Sequence, residues 1–306
     1  MNIKKIAAFM LTDTGKKVSY ITAAVFSSGA LCASYLPHTL LLGEYKKLVQ
    51  LYKNGLAVPL TKEIESRFQK VLEVLEMNPV DRHLYKPFHV CGFDVMSAGS
   101  SLSKDGVIIG LPINFSYDNP STIDRSKMRI NHETIIWETE PAQNLLKSLV
   151  LSENAQLYAM AREILYRQTP KPLIDTALNT NLVISTYAIS RVLNEKFLFY
   201  GRPLPLRFAM YSLVGLFNIG LYVMLKDITQ VFYEDRVDKE LKKKNKIFLE
   251  GGKEFYSKLL ERNKALRQLL GKEGESLYSV LGNENYLFRN KHIPLVQRLS
   301  AFESQV

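Results

Sequence analysis

Two stretches of this chain run without a charged side chain for about the thickness of a bilayer, and they constrain everything between them. Residues 19–43 are uncharged and include Ile21, Val25, Phe26, Leu31 and Leu36. Residues 208–225 are uncharged as well, bounded by Arg207 and Lys226, with Tyr211 and Tyr222 near the two ends. At about 1.5 Å per residue, some 20 helical residues cross the hydrocarbon core, and tyrosines favour its interfaces. Both stretches are expected to be transmembrane helices, the first stopped by Pro37 and His38. Ser27, Ser28, Gly29, Ala30 and Ala33 give the first a small-residue packing face. A cleaved secretory signal fits poorly, because the apolar run is long and starts late. Residues 176–190 are also uncharged, but Asn179, Thr180, Asn181 and Ser185 make them polar. They form either the first arm of a membrane hairpin turning at Tyr200-Gly201-Arg202-Pro203 or a helix lying at the surface.

The net charge of +10 looks like affinity for nucleic acid until it is divided along the chain. Residues 1–18 carry +3, residues 44–175 are neutral, residues 191–207 carry +3 and residues 226–306 carry +4. The two short basic pieces flank apolar stretches, which is how membrane proteins retain loops on the side of insertion. A nucleic-acid reader would gather its cations on one folded face; only Lys242, Lys243, Lys244 and Lys246 cluster, in a stretch that reads as a solvated helix face. No nucleic-acid partner is expected. Two cysteines, Cys32 and Cys91, exclude a disulfide framework and a zinc site built from cysteine alone.

Between and after the apolar stretches lie two lobes. Leu48, Leu51, Tyr52 and Leu56, then Ile64, Phe68, Val71, Leu72 and Leu75, recur at helical spacing over residues 44–80. Residues 89–95, 107–113 and 134–137 read as strands, separated by turn-rich pieces such as residues 97–103. Helix returns at Pro141, and Ser152 is placed to cap a further helix ending near Gln168. Beyond Lys226 two helices are expected, residues 233–248 and 255–270, broken at Gly251-Gly252 and closed by Gly271. The last thirty residues read as a loop or extended segment packed on the domain.

The helix of residues 151–168 invites a search for chemistry. Metallopeptidases of the H-E-x-x-H type place two neutral imidazoles one helical turn apart on a Zn²⁺, with a glutamate between them to activate water. At that spacing this chain has Arg162-Glu163-Ile164-Leu165-Tyr166. The setting resembles the active-site helix of the membrane-embedded M48 metallopeptidases, and Glu234-Asp235-Arg236-Val237-Asp238 follows the apolar hairpin where those proteins place a carboxylate ligand. Arg162 has no lone pair to give a metal, and protonated Tyr166 is a poor ligand. None of the histidines, His38, His83, His89, His132 and His292, forms a spaced pair. The helix is therefore read either as an ordinary amphipathic helix or as a relic site of Arg162, Glu163, Tyr166 and Glu234. In the relic, Arg162 is expected to pair with Glu234 as a fixed cation in place of the ion. No catalytic residue, metal or cofactor is expected; a zinc metallopeptidase using Glu163 is the alternative.

Further runs carry a wider resemblance. Gly251-Gly252-Lys253-Glu254-Phe255-Tyr256-Ser257-Lys258-Leu259-Leu260 is followed by Leu269-Leu270-Gly271-Lys272-Glu273-Gly274-Glu275-Ser276-Leu277-Tyr278 and by Leu287-Phe288-Arg289-Asn290-Lys291-His292-Ile293-Pro294. With Tyr85-Lys86-Pro87-Phe88, Ser97-Ala98-Gly99 and Ala161-Arg162-Glu163, these runs resemble the transmembrane protein 177 family over nearly the whole chain; residues 1–45 match only in character. The resemblance implies a multi-pass protein of the mitochondrial inner membrane, without enzymatic activity, that binds and stabilises the assembly machinery for cytochrome c oxidase subunit 2, including that subunit's membrane chaperone. It transfers no individual binding residue.

The expected fold is a mostly helical α+β membrane protein. A basic N-terminus (residues 1–18) leads into a transmembrane helix (19–43), a soluble lobe (44–172), a helical hairpin (173–226) with its span at 208–225, and a helical C-terminal lobe (227–306). The two lobes are expected to form one soluble domain resembling an inactive zinc-peptidase fold. A single domain requires both lobes on one side of the membrane, so the hairpin crosses twice or not at all. With the N-terminus in the matrix, the lobes would face the intermembrane space. The loop of residues 191–207 would return to the matrix, where Arg202 and Arg207 would lie near anionic headgroups of the lipid bilayer.

Overall fold

Val107–Pro112 is buried at all six positions, as a strand covered on both faces must be, and the larger of two structural units is built around it. The computed structural model describes residues 8–125, 128–130, 133–287 and 289–304. Its two compact units are Met1–His38 with Pro170–Thr229, and Thr39–Thr169 with Gln230–Val306.

In the larger unit, helix α2 (Leu42–Val49) leads to a hairpin of β1 (Tyr52–Lys53) and β2 (Leu56–Ala57), then to helix α3 (Lys62–Val74). The continuous helical spacing read over residues 44–80 is thus interrupted. Asn54 and Gly55 both have positive φ, 53° and 78°, the conformation of a tight hairpin turn, and Asn-Gly is the pair that adopts it most readily. The turn prevails over the spacing of Leu51, Tyr52 and Leu56.

Strands β3 (Tyr85–Val90), β4 (Met96–Gly99) and β5 (Val107–Pro112) form a sheet in the order β3-β5-β4, with β3 parallel and β4 antiparallel to β5. Ser97-Ala98-Gly99 therefore belongs to a strand, not to a turn, and the strand placed at residues 89–95 begins and ends earlier. The sheet alternates faces with a period of two. Val107, Ile109 and Leu111 join the helical core, while Ile108 packs with Leu42, Phe88, Val90 and Ala98 on the other side. A small ladder of β6 (Arg129–Ile130) and β7 (Glu133–Thr134) follows, and the strand read at residues 134–137 goes no further than Thr134. His132 lies outside the described residues.

Helix α4 (Glu140–Leu149) precedes α5 (Glu153–Gln168), whose Ser152 accepts from the Ala155 amide at 3.3 Å, as its sequence signalled. Residues 155–161 of α5 are buried without interruption, the mark of a central rather than a surface helix. Around it pack α3, the end of helix α7 (Leu204–Lys244), and α8 (Lys246–Leu269). Two helices differ from the sequence expectation. Helix α7 runs through Lys226 without a break, and α8 runs through Gly251-Gly252, the break falling instead at Asn245, whose side chain caps the Ile247 amide at 2.9 Å. Gly271, with φ 57°, ends α8 and precedes the short helix α9 (Lys272–Leu277). The terminal residues, read as a loop, contain helix α10 (Leu295–Glu303). Lys242 of the lysine run serves the end of α10, donating to the carbonyls of Ala301 (2.6 Å) and Ser304 (2.8 Å).

The smaller unit holds helix α1 (Asp13–Tyr35), helix α6 (Lys171–Lys196) and the first part of α7. The first apolar helix begins earlier than residue 19 and stops at Tyr35, before Pro37. Among the described residues, two segments, Asp13–His38 and Leu204–Lys244, are long and apolar enough to cross a membrane. At 41 residues, α7 extends about 60 Å, twice the hydrocarbon thickness. The polar residues of α6 turn toward its neighbours: Asn179 donates to Ser34 of α1, Ser185 donates to Asn218 at 2.8 Å, and Asn194 meets Tyr211 at 2.9 Å. This pairing explains a helix that is uncharged over residues 176–190 yet not strongly apolar.

Candidate functional site

The face of α7 turned into the larger unit repeats as Glu234, Val237, Asp238 and Leu241, a helical stripe in which two carboxylates stand among apolar residues. Asp238, 7% exposed, accepts from Tyr158 of α5 at 2.7 Å and from Tyr256 of α8 at 3.0 Å, and receives both Nε (2.7 Å) and a terminal nitrogen (2.9 Å) of Arg298 from α10. The guanidinium lies 4.7 Å from the centre of the Tyr256 ring. Burial and the neighbouring Asp238 charge push the Tyr158 phenol well up. Burial also raises Tyr256, against the opposing charge of Arg298. Both hydroxyls therefore stay protonated and donate.

Glu234, one turn earlier, receives His292 Nδ1 at 2.6 Å, the Ile293 amide at 3.2 Å, Gln230 at 2.8 Å and Arg298 at 3.4 Å. It lies nine residues beyond Leu225, about 13 Å past the uncharged segment. Burial alone would push its carboxyl up; the His292 hydrogen bond and the Arg298 charge overcome that and hold it down at about 2. The carboxylate is charged at neutral pH and acts only as an acceptor in this cluster.

The four residues singled out from sequence fall into two groups. Tyr166 donates to Gln230 at 2.7 Å, which in turn donates to Glu234, so these two are linked through one amide. Arg162 turns to its own neighbour, contacting Glu163 at 2.8 and 3.2 Å, and does not pair with Glu234. The fixed cation between the carboxylates is Arg298. The expectation of a loop over the last thirty residues hides it, although Leu295, Leu299 and Phe302 after Pro294 give a helical stripe with Arg298 on the same side. Glu163 also accepts from Ser97 at 2.5 Å, and Ser97 is held by Arg167 at 2.7 Å.

A cavity of about 540 Å³ reaches Arg162, Glu234, Phe255, His292 and Arg298. The donor set around it does not suit a zinc ion: the positions one turn apart on α5 are an arginine and a phenol, Glu163 is engaged by Arg162 and Ser97, and Arg298 is wedged against Glu234 and Asp238. Among the described residues, no group of three His, Cys, Asp or Glu side chains is arranged to hold a metal. What the arrangement does is tie α5, α7, α8 and α10 together through buried charge.

A sequence profile of the transmembrane protein 177 family matches residues 54–300. The chain belongs to this family. Relatives include transmembrane protein 177 of Xenopus laevis, 31% identical over 284 residues that cover 90% of this chain and 89% of that one. The Homo sapiens protein is 31% identical over 253 residues, covering 82% and 80%, and the Mus musculus protein 30% identical over 258 residues, covering 84% and 82%. No solved structure matches the chain. Family membership and the two long apolar helices make this a membrane protein. The family profile takes in the whole buried charge network and α6 and α7, and begins after α1.

Proposed function

We propose that this transmembrane protein 177 family member is a non-enzymatic factor of the mitochondrial inner membrane that binds and stabilises the assembly machinery for cytochrome c oxidase subunit 2, acting with that subunit and its membrane chaperone. The observation that carries the reading is the condition of the peptidase-like helix. Of its reactive-looking residues, Glu163 accepts from Ser97 of β4 and from Arg162 beside it, Tyr166 donates to Gln230 of α7, and the adjoining carboxylates hold Arg298. Such a site supports a rigid binding body. The membrane helices supply the other half of the argument, since Phe208, Leu213, Leu216 and Phe217 of α7 are each at least 66% exposed and need lipid or partner helices against them.

The proposed topology rests on connectivity. Thr39–Thr169 and Gln230–Val306 share one core, which in this reading lies on one side of the membrane, and α6, paired through its polar face, crosses together with α7, with α1 as a third span. Cys91 is exposed in the larger unit, and a cysteine introduced at Arg202 would mark the hairpin turn. A membrane-impermeant maleimide should label the two from opposite sides, and labelling of both from the same side would exclude the crossing hairpin.

The function itself is tested by affinity purification of the tagged chain from mitochondria in mild detergent. Newly made subunit 2 and its chaperone should be enriched over unrelated inner-membrane proteins; absence of that enrichment overturns the proposal. In cells lacking the protein, Glu163→Gln expressed to the same protein level as the native chain should restore subunit 2 equally, whereas a peptidase relying on Glu163 would not. Replacing α1 with an unrelated span separates the binding surfaces: partners retained assign binding to the remainder of the chain.

A further inference from the structure

Arg207 poses a problem that the proposed function does not solve. It is 7% exposed, its Nε is buried without a partner, and no carboxylate pairs with it among the described residues. Its nearest polar contact is a long one, a terminal nitrogen 3.5 Å from the Tyr211 hydroxyl, and its guanidinium carbon lies 5.8 Å from the centre of the Tyr200 ring. A cation retained only to orient a loop can stay in water, as Arg202 does. Burying one without an anion is costly.

Arg207 lines a cavity of about 800 Å³ within the smaller unit, together with Lys16 and Lys17 of α1, Arg191 of α6, Tyr200 and Tyr211. Lys16 Nζ lies 5.7 Å from the Tyr200 ring centre and 3.5 Å from the exposed Asp13 carboxylate, a pair that water screens and that leaves Lys17 and Arg207 as the lining cations without a carboxylate partner among the described residues. The acid on the lining, Glu195, is taken by Arg191 at 2.9 Å. The cavity therefore presents a cationic wall, and the Nε edge of a guanidinium is the edge that meets phosphate oxygens in a paired fork.

A second cavity, about 570 Å³ and mostly apolar, shares Met10, Ser19, Tyr187 and Ser190 with the first. It continues between the helices past Ala23, Phe26, Leu182, Val183 and Ile219. From Ser19 to Phe26 is seven residues, about 10 Å along the axis of α1. A cationic chamber at the helix ends thus opens into an apolar groove along the helices, and basic pockets between membrane helices are where acidic lipid headgroups dock.

We propose that the two cavities form one site for an anionic phospholipid, its phosphate held by Arg207 with Lys17 and Lys16, and an acyl chain lying in the groove beside Phe26 and Ile219. The site is distinct from the partner-binding role and stands without it. The test uses the full chain, delipidated in neutral detergent and titrated with phosphatidylglycerol, phosphatidylcholine or inorganic phosphate, read by thermal shift and by native mass spectrometry. Phosphatidylglycerol should bind and raise Tm, while phosphatidylcholine and phosphate at matched concentration should not. Arg207→Gln should weaken phosphatidylglycerol binding about tenfold or more, the worth of a charge-assisted hydrogen bond. Because Arg207 is buried, exposed Lys17→Gln provides the second variant; it should weaken binding with the circular dichroism spectrum unchanged. Equal shifts from phosphatidylcholine would overturn the proposal, as would a full shift from phosphate alone, or native affinity in Lys17→Gln.

Discussion

Arg298→Met is expected to destabilise the larger unit by roughly 4 kcal/mol, because removing one partner of a buried ion pair leaves the other charged and unpaired. Here two carboxylates would be stranded. Asp238 would keep only the hydroxyls of Tyr158 and Tyr256, and Glu234 would keep Gln230, the Ile293 amide and His292. Methionine matches much of the arginine's length and apolar stem, so lost packing contributes little and the effect reports charge. Against a total stability of about 5–15 kcal/mol, such a loss is large. For a unit of this size it should lower Tm by roughly 10 °C, followed by near-ultraviolet circular dichroism of the full chain in detergent.

The decisive arm is the double variant Arg298→Met with Asp238→Asn. Asparagine keeps an acceptor for the two tyrosines and removes one stranded charge, so the double variant should be more stable than Arg298→Met alone. Additive losses would show that Arg298 acts through its packing on Tyr256 and that the ion pair contributes nothing of its own. Partner capture should fall with folding in Arg298→Met and recover in the double variant, since the proposed function asks the network only to hold α7 and α10 in place.

Local chemistry was readable from the residues alone. The Ser152 cap, the Gly271 terminator and the apolar run of β5 each depend on a few neighbouring positions, and each occurs where its signal stands. Failures came where a distant contact decided the outcome. The α7–α10 ion pairs join residues 60 and 64 positions apart, and nothing near Glu234 names its cation. Arg162 was the obvious candidate by spacing, yet an adjacent Glu163 satisfies it without any change of fold. The Asn54-Gly55 turn was readable in principle, and leucine spacing obscured it. The polar face of α6 is intelligible only once Ser34, Asn218 and Tyr211 are seen across from it.

Gly251-Gly252 gives the opposite lesson, and with it a strong prediction. On sequence the pair marks a break, since glycine costs about 1 kcal/mol relative to alanine inside a helix. In the structure α8 continues through it because α5 and α10 approach too closely for any side chain. A Cβ on Gly251 would stand 2.1 Å from the Asn154 carbonyl oxygen, and one on Gly252 would stand 2.5 Å from the Phe302 ring. Gly251→Ala therefore sets a helix-propensity gain of about 1 kcal/mol against a backbone clash that only separation of α5 from α8 relieves. The clash should prevail, because Asn154 presents backbone and not the end of a flexible chain. A net loss of about 2–3 kcal/mol is expected, at the upper end for overpacked cores. Gly252→Ala meets a ring that can turn, and should cost less. The comparison is read from thermal unfolding of both variants beside Gly201→Ala, where a Cβ meets nothing within 4 Å. Gly251→Ala as stable as the native chain would mean that the α5–α8 contact is looser than 2.1 Å implies. The carboxylate network would then lose the rigid frame that sets Tyr158 against Asp238.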